Sequence, residues 1–315
     1  MPRQVLLFRS GALGDTLLTL GALDALRRRF PGAAITLAAR PAYAAPLLDA
    51  GRADAVLDAG SPPFHLLYTQ PDPEGDDLTR LLASFEAIVL FTRDTEIAIG
   101  RSLSFPAGGC TFISRPFPPE GKNVHAAKWM LSSLARLDIS AESFLPPPKL
   151  VPSAKSAGEA ASLLAEMGLG DRPFLALHPG SGGAAKCAPP GALARIARAY
   201  CDRSGARLLL IAGPADGEAV TGFREAWGKE APAARTERLE ALAALLARAA
   251  AFLGCDSGVS HLAALCGTPT LALFGPASDP GRWAPIGARA GWMGWEQAEK
   301  GAERLAELVS RPEGG

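Results

Sequence analysis

Three glycine-rich turns in this chain carry residue types that can hold a phosphate or move a proton. Asp256-Ser257-Gly258, with His261 three residues on, follows the apolar run Ala251-Phe-Leu-Gly254. It opens a helical pattern of Val259, Leu262, Ala263 and Cys266 that Gly267 and Pro269 stop. A short helix starting with small residues leaves its first N–H groups accessible, and these suit an anion such as a phosphate. Asp256 and His261 would then add a ribose acceptor and a phosphate donor at its mouth. In the competing reading Asp256 and Ser257 only cap the helix, and His261 packs beneath it.

The second turn is His178-Pro-Gly180-Ser181-Gly182-Gly183-Ala-Ala-Lys186-Cys187. It nearly spells a nucleotide-triphosphatase phosphate loop, but Ala185 replaces a required glycine and Cys187 the magnesium-binding hydroxyl. Ser181, Gly182, Gly183 and Lys186 still suit a loop that approaches a phosphate with N–H groups and an ammonium; a turn that binds nothing is the alternative. The third turn, Arg9-Ser-Gly11-Ala-Leu-Gly14-Asp15, lacks the G-x-G-x-x-G spacing of a dinucleotide site, and its acidic residue would repel a phosphate. Asp15 is either favourable charge at a helix start or a proton acceptor. If capping were its whole purpose, Asp15→Asn would leave stability within about 1 kcal/mol.

Other chemistries fare worse. Serines, histidines and aspartates cluster at residues 256 to 261, but no stretch gives the G-x-S-x-G elbow of a hydrolase. Cys255 and His261 lack companions as metal ligands. The five cysteines are scattered, with no C-x-x-C pair, which points to a reducing compartment. With 48% hydrophobic and 20% charged residues and a formal net charge of +0, neither wholesale disorder nor a nucleic-acid-binding surface is indicated. No apolar run reaches roughly 18 residues, so a soluble, cytoplasmic protein is expected, with at most peripheral contact at the inner face of the inner membrane.

The elements that must position these turns alternate between strand and helix. Val5–Phe8, Ile35–Ala39, Ala53–Leu57 and Ala87–Phe91 read as short buried strands, as do Phe174–Leu177, Arg207–Ile211, Ala251–Leu253 and Thr270–Phe274. One amphipathic helix is expected from the first turn to Phe30, another over His125–Ile139 and a terminal one over Ala298–Val309, while Leu78–Phe85 reads as a helical or irregular segment between strands. The loops Ser61–Asp76 and Arg93–Lys128 read as irregular. Their Arg93, Arg101, Arg115, Lys122 and Lys128 would meet an anionic acceptor or simply line a solvated surface. At 315 residues two domains of about 150 are expected, parted at Pro146-Pro-Pro148. Each would be a doubly wound α/β sheet, and ligands of such sheets bind at the strand C-termini.

Taken together, Gly14-Asp15, His178-Pro-Gly-Ser-Gly-Gly with Lys186, Gly213-Pro214 with Glu218, Asp256-Ser-Gly-Val-Ser-His261 and the following Phe274-Gly-Pro-Ala-Ser-Asp-Pro-Gly-Arg-Trp-Ala-Pro285 resemble glycosyltransferase family 9. That is the ADP-heptose:lipopolysaccharide heptosyltransferase family. The resemblance spans nearly the whole chain. It implies the GT-B fold, two Rossmann-like domains facing across a cleft: residues 1–150 for the acceptor, and 151–315 for the nucleotide sugar, with the terminal helix packing back on the first. It also implies an inverting transfer without metal or cofactor, of heptose from ADP-heptose to a lipid-linked or core oligosaccharide. Asp15 matches the family's proposed base and Lys186 a diphosphate-binding lysine. Ser181, Gly182, Gly183, Asp256, Ser257, Gly258 and His261 match donor-loop positions, and Glu218 a ribose or base contact. Cys187-Ala188-Pro189 departs from the family's usual tryptophan before proline, and no residues before 130 are matched to the acceptor. A nucleotide-sugar epimerase on the same fold and a non-catalytic sugar-nucleotide binder are the alternatives.

Overall fold

The computed structural model describes residues 3–69, 77–96, 98, 110–140, 149–235 and 237–312. The chain divides into two compact units, Met1–Pro148 and Lys149–Gly315. The expected Pro146–Pro148 linker and Arg101 lie outside the described residues.

In the first unit β1 (Gln4–Arg9), β2 (Ala34–Ala39), β3 (Ala55–Asp58), β4 (Ala87–Phe91) and β5 (Cys110–Ser114) form an all-parallel sheet in the order β3-β2-β1-β4-β5. Strands β1, β2 and β4 are largely apolar and buried because both faces of a parallel sheet are covered. On one face Phe8, Leu6 and Leu90 pack with Phe64 and Leu78, the Phe8 and Phe64 rings lying 5.3 Å apart. Chain order reverses between β1 and β4, so the turns after these two strands flank the first unit's switch point.

The expected first helix is broken into α1 (Leu13–Leu17) and α2 (Leu20–Arg29). At the break Thr19 Oγ1 donates to the Thr16 carbonyl at 2.6 Å, offering the backbone a partner other than the next helical turn. Next come α3 (Pro41–Asp49), α4 (Pro62–His65) and α5 (Asp77–Leu82). Helix α6 (Ala126–Ser133) is shorter than expected and continues as a 3₁₀ turn, Leu134–Leu137; His125 caps it, its Nδ1 accepting the Ala127 N–H at 3.2 Å. β5 lies in a segment expected to be irregular. It forms as a fifth strand along β4, a pairing that spacing within the segment does not announce.

The second unit opens with α7 (Ala154–Glu166) and has the parallel order β11-β10-β9-β6-β7-β8. Its strands are β6 (Phe174–His178), β7 (Arg207–Ile211), β8 (Ala233–Ala234), β9 (Ala251–Cys255), β10 (Thr270–Phe274) and β11 (Ala290–Gly294). β8 and β11 were not expected, being respectively two residues long and glycine-flanked. The helices are α8 (Pro190–Ser204), α9 (Gly217–Trp227), α10 (Leu239–Ala247), α11 (Gly258–Leu265), α12 (Pro280–Trp283) and α13 (Gly301–Ser310). Terminal helix α13 buries Leu305 and Leu308 in the core that α8 and β10 share. Here the order reverses between β6 and β9, so the turns carrying Lys186 and Asp256 leave adjacent strands at the switch point. Among the described residues, no helix is long and apolar enough to cross a membrane.

Candidate active site

In the first unit Asp15 lies in the first turn of α1, where Gly11 lets its carboxylate fold back over the turn: a β-carbon at Gly11 would stand 2.7 Å from the Asp15 side chain. One carboxylate oxygen accepts the Ala12 N–H at 2.9 Å and the other the Arg9 guanidinium at 2.6 Å. Arg9 is the last residue of β1 and only 5% exposed. Burial pushes its guanidinium below the ordinary value, while Asp15 opposes the shift. Arg9 and Arg93 both approach the Phe117 ring, at 6.0 and 5.0 Å from its centroid. Asp15 is thus both a helix-start carboxylate and the partner of a buried cation. The second role was not legible, and it gives Asp15→Asn a stability cost that a cap alone would not carry.

In the second unit the residues of two turns meet at the switch point. Lys186, which ends the 3₁₀ turn Ala184–Lys186, stands 2.9 Å from Asp256 Oδ2. Ser181 Oγ donates to the Asp256 carbonyl and Ser278 Oγ to Asp256 Oδ2, each at 2.5 Å. Asp256 is buried, whereas the Lys186 side chain is 38% exposed. Ser257 caps α11 by accepting the Ser260 N–H, so the helix starts immediately after Asp256, the partner of the lysine. Gly182 and Gly183 are exposed and Gly258 is half-buried. Glu218 is exposed in the first turn of α9. His261 is buried on α11, 5% exposed. Cys187, at the departure from the expected tryptophan, has a thiol raised above its usual value chiefly by burial.

Behind these loops lies a network that sequence reasoning missed. The His178 Nε2–H donates to Asp216 Oδ2 at 2.9 Å, and the same oxygen accepts the Gly213 N–H at 2.6 Å. In the neutral imidazole that leaves His178 Nδ1 to accept the Ser257 hydroxyl at 3.3 Å. Serine, histidine and aspartate follow in the order of a hydrolytic triad, but all three are under 9% exposed and the Ser257 oxygen is already the cap of α11. The network ties three strand-end loops together. Gly180 is required by close approach, since a β-carbon there would fall 1.9 Å from Asp216 Oδ1. The signal that could have flagged Asp216 is its position before helix α9 in Gly213-Pro-Ala-Asp-Gly217; its partner 38 residues away could not be found that way.

Cys255 is buried beneath the same turns, its sulfur accepting the Ala188 N–H and donating to the Pro179 carbonyl. Burial raises its thiol to about 12, so it packs as a neutral side chain.

Known structures resemble this chain along nearly all of its length. A glycosyltransferase family 9 protein from Veillonella parvula DSM 2008 is 21% identical, with 97% of this chain and 98% of that chain covered and a TM-score of 0.76. The E. coli ADP-heptose lps heptosyltransferase II is 19% identical at the same coverages, TM-score 0.72. E. coli heptosyltransferase WaaC, solved with ADP, is 17% identical, again at 97% and 98%, TM-score 0.65. No curated protein sequence matches the chain. The two doubly wound units are those of the GT-B fold. The model of glycosyltransferase family 9 (heptosyltransferase) matches residues 104–309, and the chain belongs to that family. It is a glycosyltransferase.

Proposed function

We propose that this enzyme transfers heptose from ADP-heptose to a lipopolysaccharide-core or related glycan acceptor by a single inverting displacement that needs no metal. The observation carrying this reading is the convergence of Lys186, Asp256 and the start of α11 at the second sheet's switch point. A lysine and a helix N-terminus in one place suit a leaving diphosphate. E. coli relatives named for ADP-heptose and solved with ADP support the donor.

In the reaction the acceptor hydroxyl oxygen bonds to the anomeric carbon and its proton passes to the Asp15 carboxylate. The bond from that carbon to the phosphate oxygen breaks, and ADP leaves with the electron pair. Lys186 and the α11 N–H groups meet the charge that develops on the leaving diphosphate, the role a cation would otherwise fill. Ser181, Gly182, Gly183 and Gly258 shape the loops around the diphosphate, while Asp256, His261 and Glu218 complete the donor contacts. We place the reaction in the cytoplasm, with at most peripheral membrane contact.

Two measurements test the leaving-group half. ADP release from ADP-heptose with a core oligosaccharide acceptor should survive EDTA; activity abolished by chelation and restored by magnesium or manganese would refute the metal-free mechanism. Lys186→Met should lower kcat/KM by about 10²-fold, roughly 3 kcal/mol of transition-state stabilisation. Turnover of the nucleotide sugar without any acceptor would instead mark an epimerase.

A further inference from the structure

A cavity of about 800 Å³ lies in the second unit at the ends of β10 and β11, bounded by helix α13. Its lining includes neither Lys186 nor Asp256, although Gly275, Pro276 and Pro280 flank Ser278, whose hydroxyl donates to Asp256. Its volume falls within the roughly 300–1,000 Å³ of small-molecule sites. Trp292, from edge strand β11, lines it and is 46% exposed. Phe274 sits edge-on to that indole, ring centroids 6.1 Å apart at 68°, and braces it from the buried side.

The charged groups around the indole select the ligand. Glu296, Glu303 and Glu307 face the cavity together with Lys300 and Arg304, three carboxylates against two cations. Arg304 is already paired with Glu307 at 2.7 Å. A diphosphate or a phosphorylated sugar would meet net negative charge here, so this lining rejects the ligand class that Lys186 suits. A polyol gains from both halves. The electron-rich indole face takes the C–H face of a pyranose, and carboxylate acceptors beside guanidinium and ammonium donors match vicinal hydroxyls.

We infer that this cavity is a binding subsite for neutral glycans, built on Trp292 and lying on the far side of the 275–280 loop from Lys186 and Asp256. It goes beyond the proposed transfer reaction: it would hold uncharged sugar units of a glycan while chemistry proceeds elsewhere, and its occupancy requires no turnover.

The test is direct binding to the full chain. Maltotriose, cellotriose and mannotriose are titrated separately by saturation-transfer NMR and calorimetry, with ADP as the reference ligand for the donor loops. At least one trisaccharide should bind saturably. Trp292→Ala should weaken it at least tenfold, and Glu303→Gln should weaken it measurably, with ADP affinity and thermal unfolding unchanged. Trp292→Phe, which keeps a smaller ring, should fall between wild type and Trp292→Ala. Absence of saturable binding by all three sugars, or equal affinity in wild type and Trp292→Ala, overturns the inference. Loss of ADP binding by wild type with glycan binding retained would count against the donor-loop reading and leave this subsite standing.

Discussion

Asp15→Asn should lower kcat by about 10²- to 10⁴-fold while ADP affinity stays near wild type, because the proposed mechanism takes the acceptor proton on Asp15 in the first unit and binds the donor in the second. The substitution carries a structural cost as well. Arg9 is buried and its guanidinium is 2.6 Å from the carboxylate, so a neutral amide leaves a buried cation without its counter-charge. Breaking a buried pair from one side is the costly way to lose it; with Asp15 partly exposed, a loss of about 2 kcal/mol is expected, and urea unfolding reads it. The double variant Arg9→Met, Asp15→Asn removes both charges and should recover most of that stability. If Asp15 is the base, the double variant remains inactive although it is stable again. Substantial turnover by either variant would dismiss Asp15 from proton transfer, and loss of ADP binding would mean that Asp15 organises the fold at a distance.

Asp216→Ala should cost about 2–5 kcal/mol, the second largest effect expected. One carboxylate oxygen satisfies two donors, the buried His178 Nε2–H and the half-buried Gly213 N–H, and alanine orphans both. The loops bearing Ser257 and Ser181 would lose their common anchor, so the KM for nucleotide sugar should rise more than kcat falls. Asp216→Asn, which keeps one acceptor oxygen, should be milder. Acid removes the same interaction. The His178 hydrogen bond, ahead of other causes, holds the folded-state pKa of Asp216 below its ordinary value. Its stabilisation is therefore complete above the unfolded-state pKa of about 3.9 and is lost as pH falls through the lower folded value. The stability gap between wild type and Asp216→Ala should accordingly be constant near neutrality and narrow below about pH 4. A gap independent of pH down to acid unfolding would show that the carboxylate charge contributes nothing.

The sequence by itself determined the parallel α/β architecture, because strands buried on both faces read as unbroken apolar runs, and Val5–Phe8, Ala87–Phe91 and Thr270–Phe274 are such runs. It also located the phosphate-suited turns, since glycines, a lysine and a capping serine beside a strand end are local signals. Strands such as β5 and β11 were not legible. An edge strand with glycines or mixed polarity gains its identity from the neighbour it pairs with, and that neighbour is set by topology.

The chemistry of the site divides the same way. Residue types at fixed spacing mark Asp15, Lys186 and Asp256, yet their partners are fixed by strand order. Lys186 meets Asp256 because β6 and β9 are adjacent at the switch point, and His178 meets Asp216 because β7 borders β6 on the other side. Arg9 and Asp15 are only six residues apart, but no spacing rule says that the end of β1 is sealed from water. Burial is a property of the whole packed unit. It turned a helix-start carboxylate into the counter-charge of a buried cation, and a serine, a histidine and an aspartate far apart in the chain into one hydrogen-bonded anchor for the loops.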